Sequence, residues 1–170
     1  SDLKVLIMAK AFPVSIIVAF QNTCDNRWES GYWKVTGLVA GGPAGGNGIH
    51  RQPLHAATEG TQYLWTGLSI ELHRDDAESY YFNIISDTPR VFVICNQQAS
   101  EPLKPFIATL SYDEAASYME ADEVVESVAM PAELYRWVEQ YVLENYLPEK
   151  RKKRKRDNWK EVDSDRSGRR

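Results

Sequence analysis

The alternation of apolar and polar positions divides this chain into a strand-rich first two thirds and a helical last third. Pro13 to Thr23 is a β-branched, apolar run that reads as a first strand, and Cys24-Asp25-Asn26-Arg27 reads as a turn by its Asp-Asn pair. Trp28 to Val39 gives a second strand, and Gly41 to Gly48 is a glycine-rich connector. From Tyr63 to Arg74 the period is two. Leu64, Thr66, Leu68, Ile70 and Leu72 share one face, and Tyr63, Trp65, Gly67, Ser69, Glu71 and His73 share the other. Asp75 to Glu78 is expected to turn the chain. Ser79 to Ser86 is expected to return it as a strand, with Tyr80, Phe82 and Ile84 set against Tyr81, Asn83 and Ile85. A further turn at Asp87 to Arg90 leads to a strand at Val91 to Cys95, which completes a three-stranded antiparallel meander.

Beyond residue 105 the period changes. Pro105 to Leu110 is a strand, and Ser111 with Glu114 matches a capping box that opens a short helix to about Glu120. Glu123 to Val128 is short and β-branched. Pro131 suits the first position of a second helix, in which Leu134, Trp137, Val138, Tyr141 and Val142 fall at i, i+3, i+4, i+7 and i+8. Pro148 stops it. The prediction is an α+β fold, a curled antiparallel sheet packed by a C-terminal amphipathic helix, with a partly open barrel as the alternative form. The domain organisation is an N-terminal extension over 1–11, a single domain over 12–148, and a basic, disordered tail over 149–170.

Charge changes that picture most at the C-terminus. Lys150, Arg151, Lys152, Lys153, Arg154, Lys155 and Arg156 are seven consecutive cations. Residues 150–170 carry 11 Lys/Arg against 4 Asp/Glu, and residues 1–149 carry 9 against 20, so the formal net charge of −4 conceals a +7 tail on a −11 domain. Such a run repels itself and stays solvated, which makes it an interaction element for an anionic surface. Nucleic acid, anionic lipid and an acidic protein are all candidate surfaces. A fourth is the acidic domain itself, onto which the tail would fold back. The acidic domain argues against a dedicated nucleic-acid binder, and no aromatic is interleaved in 150–156 to stack bases.

Candidate chemistry is sparse. Two cysteines, Cys24 and Cys95, make no disulfide framework or metal cluster and fit a reducing cytoplasm. No run of about 18 apolar residues predicts a membrane span. The apolar stretch from Leu3 to Val18 is broken by Pro13 and reads as a strand rather than a signal peptide. Ile49-His50-Arg51 follows the glycine-rich stretch where a phosphate loop would need Lys-Ser/Thr. His50, His55 and His73 lack metal-ligand spacing, and no nucleophile elbow frames a serine. No catalytic residue, metal or cofactor is therefore assigned. The one surface with interface-type side chains is the polar and aromatic set Trp28, Trp33, Trp65, Glu71, His73 and Arg74, read as a partner-binding face. The plainer alternative is a solvated sheet face with cross-strand ion pairs. A third possibility makes Glu71 and His73 an acid–base pair, which requires a concave pocket around them.

Asp25-Asn26-Arg27-Trp28, Tyr32-Trp33-Lys34 and Gly37 to Gly41 together resemble the N-terminal half of an uncharacterised proteobacterial family. That family is a domain of unknown function commonly encoded beside molybdenum-dependent formate dehydrogenases and their accessory proteins. Leu68-Ser69-Ile70-Glu71-Leu72-His73-Arg74, followed by Glu78-Ser79-Tyr80, resembles its central motif. Pro131 to Val142, with the basic run ending at Asp157, resembles its C-terminal pattern. The likeness covers about residues 12–159, and its motifs are idiosyncratic rather than chemical. It implies a cytoplasmic accessory role near formate dehydrogenase maturation or near its metal-cofactor supply, and the expectation built on it is a non-enzymatic accessory or adaptor protein whose client is a formate dehydrogenase subunit or a maturation factor. The alternative is nucleic-acid or other polyanion binding through the Lys/Arg tail.

Overall fold

A computed structural model of the chain describes residues 11–22, 31–43, 48–54 and 61–146. Among these residues seven strands form two antiparallel sheets. The first has the order β2-β1-β4-β3, from β1 (Ala11–Asn22), β2 (Gly31–Ala40), β3 (His50–Pro53) and β4 (Gln62–Glu71). The second has the order β6-β5-β7, from β5 (Arg90–Asn96), β6 (Lys104–Thr109) and β7 (Val124–Ala129). Three helices accompany them: α1 (Ala77–Ile85), α2 (Tyr112–Glu120) and α3 (Ala132–Asn145). The sheets approach each other where β4 lies near β6 and β2 near β7, without sharing a ladder. Six strands thus ring one core, and the ring is open at two seams.

The core is built from the inward rows of both sheets. Phe12, Val14, Ile16 and Val18 of β1 meet Val35 of β2, Trp65, Leu68 and Ile70 of β4, and Val91, Val93 and Cys95 of β5. The predicted stripe of α3 is buried at all five positions and closes the core where β1 begins, with the rings of Phe12 and Trp137 5.3 Å apart. Each such aliphatic or aromatic side chain contributes roughly 1.5–3 kcal/mol of transfer free energy. On the outer face of the second sheet, α2 packs near β5, and Ile94 and Ala115 are both fully buried. The helix is clasped by edge-on ring pairs, Phe92 with Tyr112 and Phe106 with Tyr118. Half of the predicted capping box is present: Ser111 Oγ accepts the Glu114 N–H at 3.1 Å, while the Ser111 N–H donates to Thr109 Oγ1 at 3.1 Å rather than to Glu114. The Glu114 carboxylate is engaged by the Thr109 hydroxyl at 2.8 Å.

Two expectations from the sequence are corrected. The strict alternation along Tyr63–Arg74 fails at Gly67. Ile16 stands opposite Trp65 and Val14 opposite Leu68, so two residues of β4, Thr66 and Gly67, face the single residue Ser15 of β1. This is a β-bulge, with Gly67 at φ +93°. It reverses the parity of the strand, so Trp65 and Leu68 both point into the core although they are three residues apart. Trp65 therefore leaves the face assigned to Glu71 and His73.

The second correction is larger. Residues 77–85 are a helix, not the middle strand of a meander, and a short 3₁₀ turn at Arg74–Asp76 precedes it. Its buried residues are Ala77, Ser79, Tyr80, Asn83 and Ile84, a spacing of three and four that the strand reading overlooked. Tyr80 anchors the start. Its hydroxyl accepts the His73 N–H at 3.0 Å, its ring meets Tyr141 of α3 at 6.1 Å, and burial raises its pKa. The chain thus crosses from the first sheet to the second through a helix. The short edge strand β3, which ends in Pro53, lies in a stretch that the sequence pattern left unassigned.

Candidate docking groove

The second correction creates a surface that the strand reading did not contain. Between α1, the start of β5 and the N-terminus of α2 lies an open groove of about 620 Å³. Phe82, Phe92 and Tyr112 supply its apolar walls, and Glu78 and Asp113 stand at its edge. Phe82 and Tyr112 are each 56% exposed, so their rings face solvent.

The walls are held by hydrogen bonds from residues of low helix propensity that the sequence places inside α1. Buried Asn83 donates to the carbonyls of Arg90 at 2.7 Å and Leu110 at 2.9 Å, and accepts the Arg90 N–H at 2.9 Å. One side chain thus ties α1 to the entry of β5 and the exit of β6. Ser79 Oγ accepts the Ser111 hydroxyl at 3.1 Å and the Asp113 N–H at 3.4 Å, joining α1 to the first turn of α2. Arg90 donates to the Ser127 carbonyl at 2.8 Å, and its guanidinium also reaches Ser127 Oγ, so it is anchored to β7. Exposed aromatics on a scaffold fixed in this way form a preorganised patch, which lowers the ordering cost of binding. Ser79 and Asn83 were missed because a strand reading of 79–86 gives them no common direction. The i, i+4 spacing of the two polar residues beside Tyr80 and Ile84 was the available signal.

The described members of the set assigned to a partner face lie at separate places. Trp33 is half-buried at one end of the first sheet, where its ring meets Phe20 at 5.5 Å and Tyr63 at 5.9 Å, and its indole N–H donates to the Ser100 carbonyl at 3.3 Å. Trp65 is only 7% exposed, and its Nε1 has no hydrogen-bond partner among the described residues. The Arg51 guanidinium lies 4.4 Å from the Tyr63 ring and 5.9 Å from that of Trp65. Glu71, His73 and Arg74 lie at the far end of β4. Glu71 Oε2 and His73 Nε2 are 3.8 Å apart, with both side chains about three-fifths or more exposed. Such a contact carries little free energy in water. Neither residue lines the groove. Arg74 Nε donates to Asn145 Oδ1 at 3.3 Å, tying the start of α1 to the end of α3. Trp28 and Lys150 to Arg156 lie outside the described residues.

Among the described residues three further ionisable groups are perturbed: Tyr141 of α3, raised by burial, and, in the second sheet, Cys95 of β5 and Glu126 of β7. Burial, with a smaller contribution from the nearby Glu126 carboxylate, pushes the Cys95 thiol up to about 12. Burial also raises the pKa of Glu126, partly offset by Lys34 of β2. None of the three lines the groove. No helix among the described residues is long and apolar enough to cross a membrane, and no three His, Cys, Asp or Glu residues among them cluster as metal ligands.

A family model described as "Protein of unknown function (DUF3305)" matches residues 13–156. No curated protein and no solved structure matches the chain.

Proposed function

We propose that this chain, which belongs to the DUF3305 family of unknown function, is a non-enzymatic accessory protein that holds a segment of a protein client in the α1–α2 groove. The observation that carries the reading is the pair of solvent-facing rings, Phe82 and Tyr112, on walls pinned by Asn83 and Ser79. Aromatic side chains of this kind anchor protein interfaces, because they bring large contact area with few rotamers to freeze. The acidic groups Glu78 and Asp113 favour a client segment that presents Lys or Arg beside apolar residues. The expected client is a formate dehydrogenase subunit or one of its maturation factors, and molybdoenzyme assembly is the setting proposed for the protein.

The test is titration of purified formate dehydrogenase subunits and maturation factors with the wild-type chain and with Phe82→Ala and Tyr112→Ala. Phe82→Ala removes exposed ring only, whereas Tyr112→Ala also gives up the edge contact with Phe92, so the Tm of each variant is measured beside its binding. Micromolar or tighter binding by the wild type, weakened at least tenfold by each variant, is the expected result. Equal binding by all three would move recognition away from the groove. Failure of the wild type to bind any component would remove the proposed client.

The run Lys150–Arg156 favours a second reading, in which the chain binds nucleic acid or another polyanion through its tail. That reading requires the tail alone to carry nearly all the affinity, with log K falling steeply against log salt.

A further inference from the structure

The groove and the basic run belong to one chain, and the last described residue of that chain lies near the groove. The described residues end at Tyr146, whose ring packs on Tyr81 of α1 at 4.9 Å. The Tyr81 ring lies 5.7 Å from that of Phe82, which lines the groove. The last described residue therefore stands one side chain away from the groove. Lys150 follows Tyr146 by four residues, a reach of roughly 13–14 Å when extended, and the seven cations span roughly 23–25 Å more.

Charge complements the reach. The described residues hold 15 Asp/Glu against 6 Lys/Arg, a net of −9 facing a tail of +7. Glu78 and Asp113 lie at the groove itself, and Asp75 and Asp76 precede α1. Among the described residues Arg90 is the one cation lining the groove, and it is already anchored to Ser127. The open faces of Phe82 and Tyr112 suit ammonium and guanidinium groups, which bind aromatic faces through the ring quadrupole.

We infer that Lys150–Arg156 docks in the α1–α2 groove of its own molecule, so that the free protein covers its docking surface with a pseudo-client. The covering role rests on the client reading above; the docking does not. A short tether gives the tail a millimolar effective concentration, which lets individually weak contacts compete with an external segment. A tail that fills the groove about nine-tenths of the time weakens a client about tenfold. A client or polyanion that draws the tail away releases the groove.

The experiment uses the full chain with Cys24→Ser and Ser164→Cys, spin-labelled at position 164 and enriched in nitrogen-15. The buried Cys95 is left in place. At low salt the label should broaden the amides of Glu78, Phe82, Tyr112 and Asp113 more than those of the distant acidic residue Glu123. The broadening should disappear at 0.5 M salt, as expected where the Debye length falls to roughly 4–5 Å. It should also disappear when the seven cations are replaced by glutamine, and weaken in a Glu78→Gln, Asp113→Asn variant. No broadening at the groove, or equal broadening across all acidic residues, would overturn the docking. Broadening that appears only between labelled and enriched molecules in a mixture would overturn its intramolecular form. Client titration separates the two proposals. If the glutamine-substituted tail binds the client no better than wild type while the broadening is observed, the tail docks but does not cover the client site. If no client binds either protein, the client reading falls and the broadening still decides the docking.

Discussion

Replacing Gly67 with alanine tests the device that gives β4 its two parities. Gly67 has φ +93°, a backbone conformation that costs an L-residue about 1–2 kcal/mol. An added Cβ would also overlap the Gly48 carbonyl and stand 3.2 Å from Ile49 Cα. These neighbours are backbone atoms leading into β3, so no rotamer change relieves the overlap and the edge strand must shift. Overpacking of this kind costs about 1–3 kcal/mol, which brings the expected destabilisation to about 2–5 kcal/mol. Gly41 supplies the control. Its φ is +104°, and an added Cβ meets nothing within 4 Å, so Gly41→Ala should lose only about 1–2 kcal/mol from backbone strain. Urea unfolding followed by tryptophan fluorescence measures both, and an unchanged slope would confirm a common unfolded state. The difference between the two variants isolates the contact with β3. Equal midpoints for Gly67→Ala and Gly41→Ala would refute the argument that the close approach of β3 holds the bulge.

Three other outcomes follow from buried polar and ionisable groups. Asn83→Ala removes three hydrogen bonds and should cost about 3 kcal/mol, or about 6–12 °C in Tm; a loss below about 1 kcal/mol by calorimetry would show that α1 does not depend on this side chain. Glu126 has a folded pKa raised by burial, so the folded state holds the proton more tightly than the unfolded state. Its effect is least costly below the ordinary carboxylate pKa, and stability is lost as pH rises through the folded value. Glu126→Gln should therefore flatten the urea midpoint against pH and raise it at neutral pH, and a parallel profile would contradict the assignment. Cys95, with its thiol raised to about 12 by burial, should react with a chromogenic disulfide at pH 8 only as fast as the protein opens; this is measured in a Cys24→Ser background, where rapid stoichiometric labelling of the native state would refute its burial.

The sequence by itself determined the elements whose period is local and long. The stripe Leu134–Val142, the cap at Ser111 and the β-branched runs of β1, β5, β6 and β7 were legible because each residue's burial follows from the geometry of its own element. Tertiary structure decided what short or mixed patterns leave open. Residues 79–86 satisfy both a strand and a helix period, and only the contacts of Tyr80 with His73 and Tyr141, and of Asn83 with β5 and β6, select the helix. The face of Trp65 was undetermined for a related reason. A single bulge inverts every side chain beyond it, and the bulge is set by pairing with a strand some fifty residues earlier. The groove depends on both decisions. Its walls come from a helix, a strand and a second helix distant in sequence, brought together by backbone carbonyls that needed donors and found them on Asn83 and Arg90.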